Sequence, residues 1–263
     1  MIKTAIITGT VLISLTTSAQ QKEGRVIFQR TLELNISLPG NPEMANALPT
    51  TRTDNFELNF TGNIASWKQV EEIEPEENRG GGLVLRIAGS DELNWFDMST
   101  SRRLRQSELG GKNYLVSDSI QKGNWKLTDE TKTILGHSCR KAISTVVSRR
   151  FTTSMDNGRL ERKESPDTSQ SVAWFTSDIP VSVGPEIQGQ LPGLILELSS
   201  RSGKVLYTAV EISAKPDMQM LKEPTKGKKI SSADFVKERD KLMEQMQQTN
   251  SGPGGNVRFM ITQ

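Results

Sequence analysis

The chain of 263 residues carries 33 basic and 31 acidic side chains, for a net charge of +2, with 34% apolar and 24% charged residues. That balance excludes a disordered polyelectrolyte, and it leaves no concentrated basic face of the kind that displaces counterions from nucleic acid. A single cysteine, Cys139, excludes an intramolecular disulfide.

The first predicted element is a secretory leader. Residues 1–21 hold one charge, Lys3, then an apolar run from Ala5 to Leu15, then Thr16, Thr17, Ser18 and Ala19. A charged start, a short apolar run and small residues before a cut describe a signal peptide, with cleavage after Ala19. The run is too short for a stable membrane-spanning helix, and no later stretch reaches about 18 consecutive apolar residues, so the mature chain has no transmembrane segment. No cysteine follows the run to accept a lipid anchor. Removing Lys3 with the leader lowers the net charge from +2 to +1. The expected location is the periplasm, free or associated with the outer membrane, where a protein without disulfides depends on its core for stability.

The mature chain of about 240 residues suits one large β domain over residues 20–230. Short apolar alternation bounded by turn residues predicts strands over Arg25–Ile36, Asn55–Phe60, Leu83–Ile87, Leu93–Met98, Asn113–Ile120 and Trp125–Ile134. Hairpin turns are expected at Gly62-Asn63, Gly110-Gly111 and Gly123-Asn124. Further strands are predicted at Arg140–Arg149, Ser171–Thr176, Leu194–Ser199 and Val205–Ile212, the last two joined by Arg201-Ser202-Gly203-Lys204. One helix follows over 231–249. Ser231 and Ser232 offer an N-cap, Asp234 an early negative charge, and Phe235, Leu242, Met243 and Met246 an apolar face. Residues 250–263, rich in Gly and Pro, read as a flexible tail. The expected fold is therefore mainly β, a curved antiparallel sheet or half-barrel with a C-terminal helix.

Residues able to carry chemistry are sparse. His137 and Cys139 share a face if the segment is extended, which makes a thiol–imidazole pair geometrically possible. The surrounding pattern, from Ile134 to Ile143, favours Cys139 as a small buried hydrophobe. Met218, Met220, Met243 and Met246 are soft donors for a copper-type ion, but no clustered ligand spacing accompanies them. Glu71, Glu72, Glu74, Glu76 and Glu77 form a charge run typical of a solvated loop. Gly80-Gly81-Gly82 lacks the Lys-Ser or Lys-Thr of a phosphate loop. No catalytic residues and no cofactor are assigned.

The segment that resists a bland reading runs from Trp174 to Ile195. Its prolines fix φ and its glycines permit sharp turns, so Gly184-Pro185 and Pro192-Gly193 should shape a defined loop. Ile179, Val181, Val183 and Ile187 need burial, which predicts that the loop folds against the sheet. The candidate groove or loop residues are Trp174, Ile179, Pro180, Gly184, Pro185, Leu191, Pro192 and Gly193. A positive φ at Gly193 would make substitution there costly.

Here the chain resembles the GLPGLI proteins of Bacteroidetes, through Gln190-Leu191-Pro192-Gly193-Leu194-Ile195, with Gln190 in place of the first glycine. The resemblance extends through Trp125-Lys126-Leu127 and Gly136-His137-Ser138-Cys139-Arg140-Lys141-Ala142, and covers Trp125 to Ile212. It implies a signal-bearing envelope protein of unestablished role, with no catalytic residues to carry over. The loop is also similar to those of periplasmic half-barrel proteins that shuttle lipoproteins, which bears on architecture alone. Three functional classes stay open. The first is a binding or carrier module for an apolar ligand or peptide. The second is an accessory protein that partners an outer-membrane transport or assembly system. The third is a metal or thiol protein built on His137 and Cys139.

Overall fold

The computed structural model describes residues 21–34, 50–70, 92–156 and 159–249. The leader, the strand expected at Leu83–Ile87, the acidic run from Glu71, the Gly80-Gly81-Gly82 segment and the tail lie outside the described residues.

Alternation sets the strands. In β1 (Glu23–Glu33), Val26 and Phe28 are fully buried while Arg25, Ile27 and Gln29 are not, the period of two that a pleated strand imposes. A meander continues through β2 (Thr51–Thr61), β3 (Ile64–Val70), β4 (Leu93–Asp97), β5 (Arg102–Leu109) and β6 (Lys112–Ser119). A second meander comprises β7 (Trp125–Ile134), β8 (His137–Asp156), β9 (Arg159–Thr176), β10 (Leu194–Ser200) and β11 (Val205–Ser213). The two join where β1 pairs with β11, Arg25 opposite Ser213 and Leu32 opposite Val205. With β12 (Lys228–Ser231) on β6, the result is one 12-stranded sheet that does not close into a barrel.

Three details differ from the sequence expectation. The sheet is not wholly antiparallel, because β12 runs parallel to β6 with Lys228 opposite Tyr114. The chain reaches that position by a long return over 214–227, anchored where Trp95 Nε1 donates to the Leu221 carbonyl at 2.9 Å and Arg102 pairs with Glu223 at 2.7 Å. Gly123-Asn124 makes no hairpin; it belongs to the link from β6 to β7, which do not pair. Strands β8 and β9 pair with each other to Asp156 and Arg159, whereas β7 follows β8 only as far as Ser144 and β10 follows β9 only as far as Val172. The distal part of that hairpin is a two-stranded ribbon beyond the sheet.

The β6–β7 link dictates the curvature. The two strands lie ten steps apart in sheet order, which would span about 48 Å if the sheet were flat. Residues 120–124 join them and reach about 20 Å at full extension. The sheet therefore rolls until its two ends approach. Gln190 secures the join: its Oε1 accepts from Trp125 Nε1 at 2.7 Å and its Nε2 donates to the Gln121 carbonyl at 2.8 Å.

The main core unites Val26, Phe28, Leu58 and Phe60 with Leu194, Leu196 and Leu198 and with the loop residues Ile179, Val181, Val183, Ile187 and Leu191. The loop is thus packed inside the rolled sheet. Helix α1 (Ser232–Thr249) starts from a Ser231 cap, whose Oγ accepts the Asp234 N–H at 3.1 Å. Phe235 fixes it edge-on to the Tyr114 ring, centroids 5.5 Å apart.

Candidate functional site

Strand register brings one row of side chains to a common face. Arg30 stands opposite both Asp54 and Tyr207, Phe56 opposite Gln69, Trp67 opposite Asn94, and Phe96 opposite Arg103. Charged residues stand at both ends of the row, Arg30 and Asp54 on β1 and β2 and Arg103 on β5, with aromatic rings between them. Over these rings a cleft of about 390 Å³ opens, floored by Phe56, Trp67 and Phe96 and walled by Arg30, Gln69, Glu92, Asn94, Arg103 and Tyr207. The loop contributes Glu186 and Gln188. The size lies at the lower end of small-ligand sites.

The floor is an aromatic cluster. Phe56 stacks on Trp67 at 4.9 Å, and Tyr207 meets both rings edge-on at 5.9 and 5.8 Å. The Arg30 guanidinium lies 4.8 Å above the Phe56 ring, and that of Arg103 lies 5.8 Å from the Phe96 centroid.

Polar groups are tightly tied. Asp54 accepts from Arg30 at 2.5 and 3.2 Å, from Arg52 at 2.6 and 2.9 Å, and from Gln69 at 3.2 Å. Burial alone would raise its pKa; the two guanidiniums overcome this and hold the carboxyl below its ordinary value. Arg103 donates twice to Asn94 Oδ1, at 3.2 and 2.6 Å, and Asn94 donates to Glu92 at 3.2 Å. Tyr207 donates to Glu186 Oε1 at 2.7 Å, and Gln188 to the Gly184 carbonyl at 2.8 Å. Glu186 has a φ of 57°, a region that few side chains other than Asn and Asp adopt readily. Ser101, Leu135, Arg201 and Ser202 share this region, each in a turn between strands.

The loop is shaped as its prolines require. Val181 N–H donates to the Ile179 carbonyl at 2.8 Å and Gly193 N–H to the Leu191 carbonyl at 2.9 Å, forming three-residue turns centred on Pro180 and Pro192. Gly184 and Pro185 are buried, and a Cβ on Gly184 would meet Ile195 Cβ at 2.5 Å. Gly193 does not have positive φ; its need for glycine is spatial, since a Cβ there would lie 2.0 Å from the Thr176 carbonyl oxygen. Of the candidate residues named from sequence, none lines the cleft. Ile179, Gly184, Pro185, Leu191 and Gly193 are buried, while Pro180 and Pro192 face solvent. Trp174 is partly buried under two ammonium groups, those of Lys132 at 4.4 Å and Lys141 at 5.8 Å.

The lining residues escaped sequence reading, although a signal existed. Arg30 continues the inward series Val26, Phe28, and Asp54 begins the series Phe56, Leu58, Phe60; a charge at a core-facing position of an alternating strand marks a buried polar site.

His137 and Cys139 do not form a thiol–imidazole pair. Cys139 Sγ donates to the backbone carbonyl of His137 at 3.6 Å, while His137 Nδ1 lies 3.2 Å from Asp178 Oδ2. Cys139 is fully buried, and burial pushes its thiol up to about 11. Among the described residues no group of three His, Cys, Asp or Glu side chains converges as metal ligands. Met218 is exposed; the side chains of Met243 and Met246 lie outside the described residues.

The fold and cleft define the class: a mainly β protein with a rolled, open sheet that encloses its own loop. Within it, residues 125–197 match the model of a family described as a protein of unknown function, Porph_ging, in agreement with the resemblance drawn from the Trp125 and Leu191-Pro192-Gly193 segments. No curated protein matches the chain. Among solved structures, PNGF-II in a C2 crystal form is similar, with a TM-score of 0.53 at 17% identity over 83% of this chain and 33% of that one. A P21 form of PNGF-II gives a TM-score of 0.49 at 18% identity, over 84% and 34%. The chain thus spans about a third of the PNGF-II chain, and the likeness concerns the fold alone. No helix among the described residues is long and apolar enough to cross a membrane, which says nothing of strands.

Proposed function

We propose that this chain is an exported, non-catalytic binding module of the cell envelope, and that its ligand occupies the cleft between β1–β5 and the loop. The leader-like residues 1–19 support export. The observation that carries the binding role is the convergence of Arg30, Asn94, Arg103, Glu186 and Gln188 on one open volume above an aromatic floor. An acyl chain is a poor occupant, because the protein's own Ile179, Val181, Val183, Ile187 and Leu191 take up the apolar interior. A small polar ligand or a peptide end suits the remaining space. Protein purified from its own envelope fraction and examined by native mass spectrometry is expected to carry such a ligand. Hydrogen exchange should then show protection at residues 92–105 and 184–188 on binding. Ligand-dependent protection confined to other segments would overturn the assignment.

The β8–β9 ribbon favours a second reading, as an accessory protein of an envelope assembly. An isolated two-stranded ribbon is marginally stable in water and gains from a partner. Cross-linking from residues 145–171 in intact cells would test it; no partner captured there, with cross-links formed elsewhere, would discard it.

A further inference from the structure

Every carboxylate around the cleft already has a protein donor. Asp54 is bonded by Arg30, Arg52 and Gln69, Glu92 by Asn94 and Arg105, and Glu186 by Tyr207. Arg103 is the exception on the cationic side. Its Nε and Nη2 both bond a neutral acceptor, Asn94 Oδ1, and no carboxylate of the described residues lies within ion-pair distance of it. A guanidinium offers five N–H donors in a planar fork. The Asn94 contact uses the Nε edge, so the edge formed by the two terminal nitrogens has no protein acceptor among the described residues. Arg103 also separates the cleft from a smaller one of about 170 Å³ beside Arg105 and Ser232, so it stands between two open volumes.

We propose that the cleft binds its ligand through a carboxylate group, seated end-on against the terminal nitrogens of Arg103, with Asn94 fixing the orientation of the guanidinium. This rests on reading the cleft as the ligand site. The two terminal nitrogens match the spacing of two carboxylate oxygens, the geometry in which arginine binds such groups best. Burial, and then the like charge of Arg105, lower the pKa of Arg103, against the weaker pull of Glu92, Asp118 and Glu186, none of which comes within ion-pair distance, so an arriving anion meets a partly desolvated cation. A phosphate dianion suits the site less. Glu92 and Glu186 line the same volume and would repel its second charge, which a single uncommitted guanidinium cannot answer.

Isothermal titration of the full mature chain decides the matter, with N-acetylglycylalanine, its C-terminal amide, succinate and inorganic phosphate as probes. The acid should bind at least about tenfold more tightly than the amide, and Arg103→Gln should weaken it by about ten- to a hundredfold. Arg103→Lys should fall between, since an ammonium keeps the charge and loses the fork. Arg102→Gln, on the same strand but paired with Glu223 outside the cleft, should bind as the wild type does. Thermal melting of each variant guards against unfolding. Equal affinity for succinate would mean that the carboxylate alone is read, and a preference for the dipeptide that a peptide C-terminus is read. Equal binding of acid and amide, abolished by a cleft-filling Gln69→Trp, would overturn the carboxylate anchor and keep the cleft. Tighter binding of phosphate would also overturn it. No binding of any probe at millimolar concentration would overturn both readings.

Discussion

The Tyr207 hydroxyl donates to Glu186 Oε1 at 2.7 Å, tying the central strand β11 to the one non-glycine residue of the loop with positive φ. Burial, followed by the Glu186 charge, raises the pKa of the phenol above its ordinary value. A folded-state pKa above the unfolded one gives stability that is complete below the unfolded pKa of about 10 and declines as pH rises beyond it. In a spectrophotometric titration of the two tyrosines, Tyr207 should ionise only with alkaline unfolding. Ionisation of Tyr207 near pH 10 in the folded protein would contradict this. Tyr207→Phe should cost about 1 kcal/mol and release the Glu186 side chain.

Asp54 holds two arginines, and its removal leaves both without their partner. Asp54→Asn should destabilise the protein by about 2–3 kcal/mol, less than a fully buried pair would lose because Arg30 and Arg52 keep some contact with water. The sign of the pH effect is fixed by the lowered pKa of this carboxyl. Its stabilising contribution is present above the unfolded value of about 3.9 and is lost as the pH falls through the folded one. Urea unfolding of wild type and variant at pH 7 and pH 3 should show the difference shrinking in acid. A constant difference would assign the loss to packing.

Gly193 touches the Thr176 carbonyl so closely that any Cβ forces the backbone apart. Gly193→Ala should cost about 1–3 kcal/mol, a range set by overpacking rather than by φ strain. Gly62, with φ of 53° and nothing near its Cβ position, offers the contrast. There Gly→Asn, a residue that tolerates this region, should be far milder. Similar losses at both sites, measured by chemical denaturation, would refute the steric account.

Gln190 stands where the GLPGLI motif that this segment resembles has its first glycine, and it bonds both Trp125 and Gln121. Gln190→Gly should cost about 1–2 kcal/mol from two lost hydrogen bonds, and should expose Trp125 to quenchers. Unchanged stability and quenching would show that the link is held without it.

The Cys139 thiol is inaccessible and held mostly protonated at neutral pH. Iodoacetamide at pH 8 should leave it unmodified for hours in the folded protein and label it promptly in urea, as read by intact mass. Rapid native labelling would restore the thiol as a reactive group.

Much of the fold was legible because alternation reports burial on one face. The predicted Trp125–Ile134 strand is β7, and Leu194–Ser199 lacks one residue of β10. Strand β5, Arg-Arg-Leu-Arg-Gln-Ser-Glu-Leu, was missed because one of its faces carries Arg103 and Arg105 in place of apolar residues. The outer reaches of β8 and β9 were missed because a ribbon that pairs only with itself has no core to impose a pattern. The loop's burial could be read from its apolar residues. That its polar residues Glu186 and Gln188 would complete a cleft depended on strands β3–β5, far away in sequence, and no local pattern records such a meeting.

The pairing of β1 with β11 also governs how the chain reaches this state. Each meander can assemble from neighbouring hairpins, but their union waits for Arg25 to find Ser213, across nearly the whole described chain. Contacts so distant in sequence slow folding, because the loop they close must be ordered before it is rewarded. The expected kinetics are an early phase that forms the hairpins and a slow phase that docks the two halves. A β1 substitution such as Val26→Ala, which weakens the pairing with β11 as well as that with β2, should retard the second phase, and single-exponential refolding by every probe would show that the halves never exist apart.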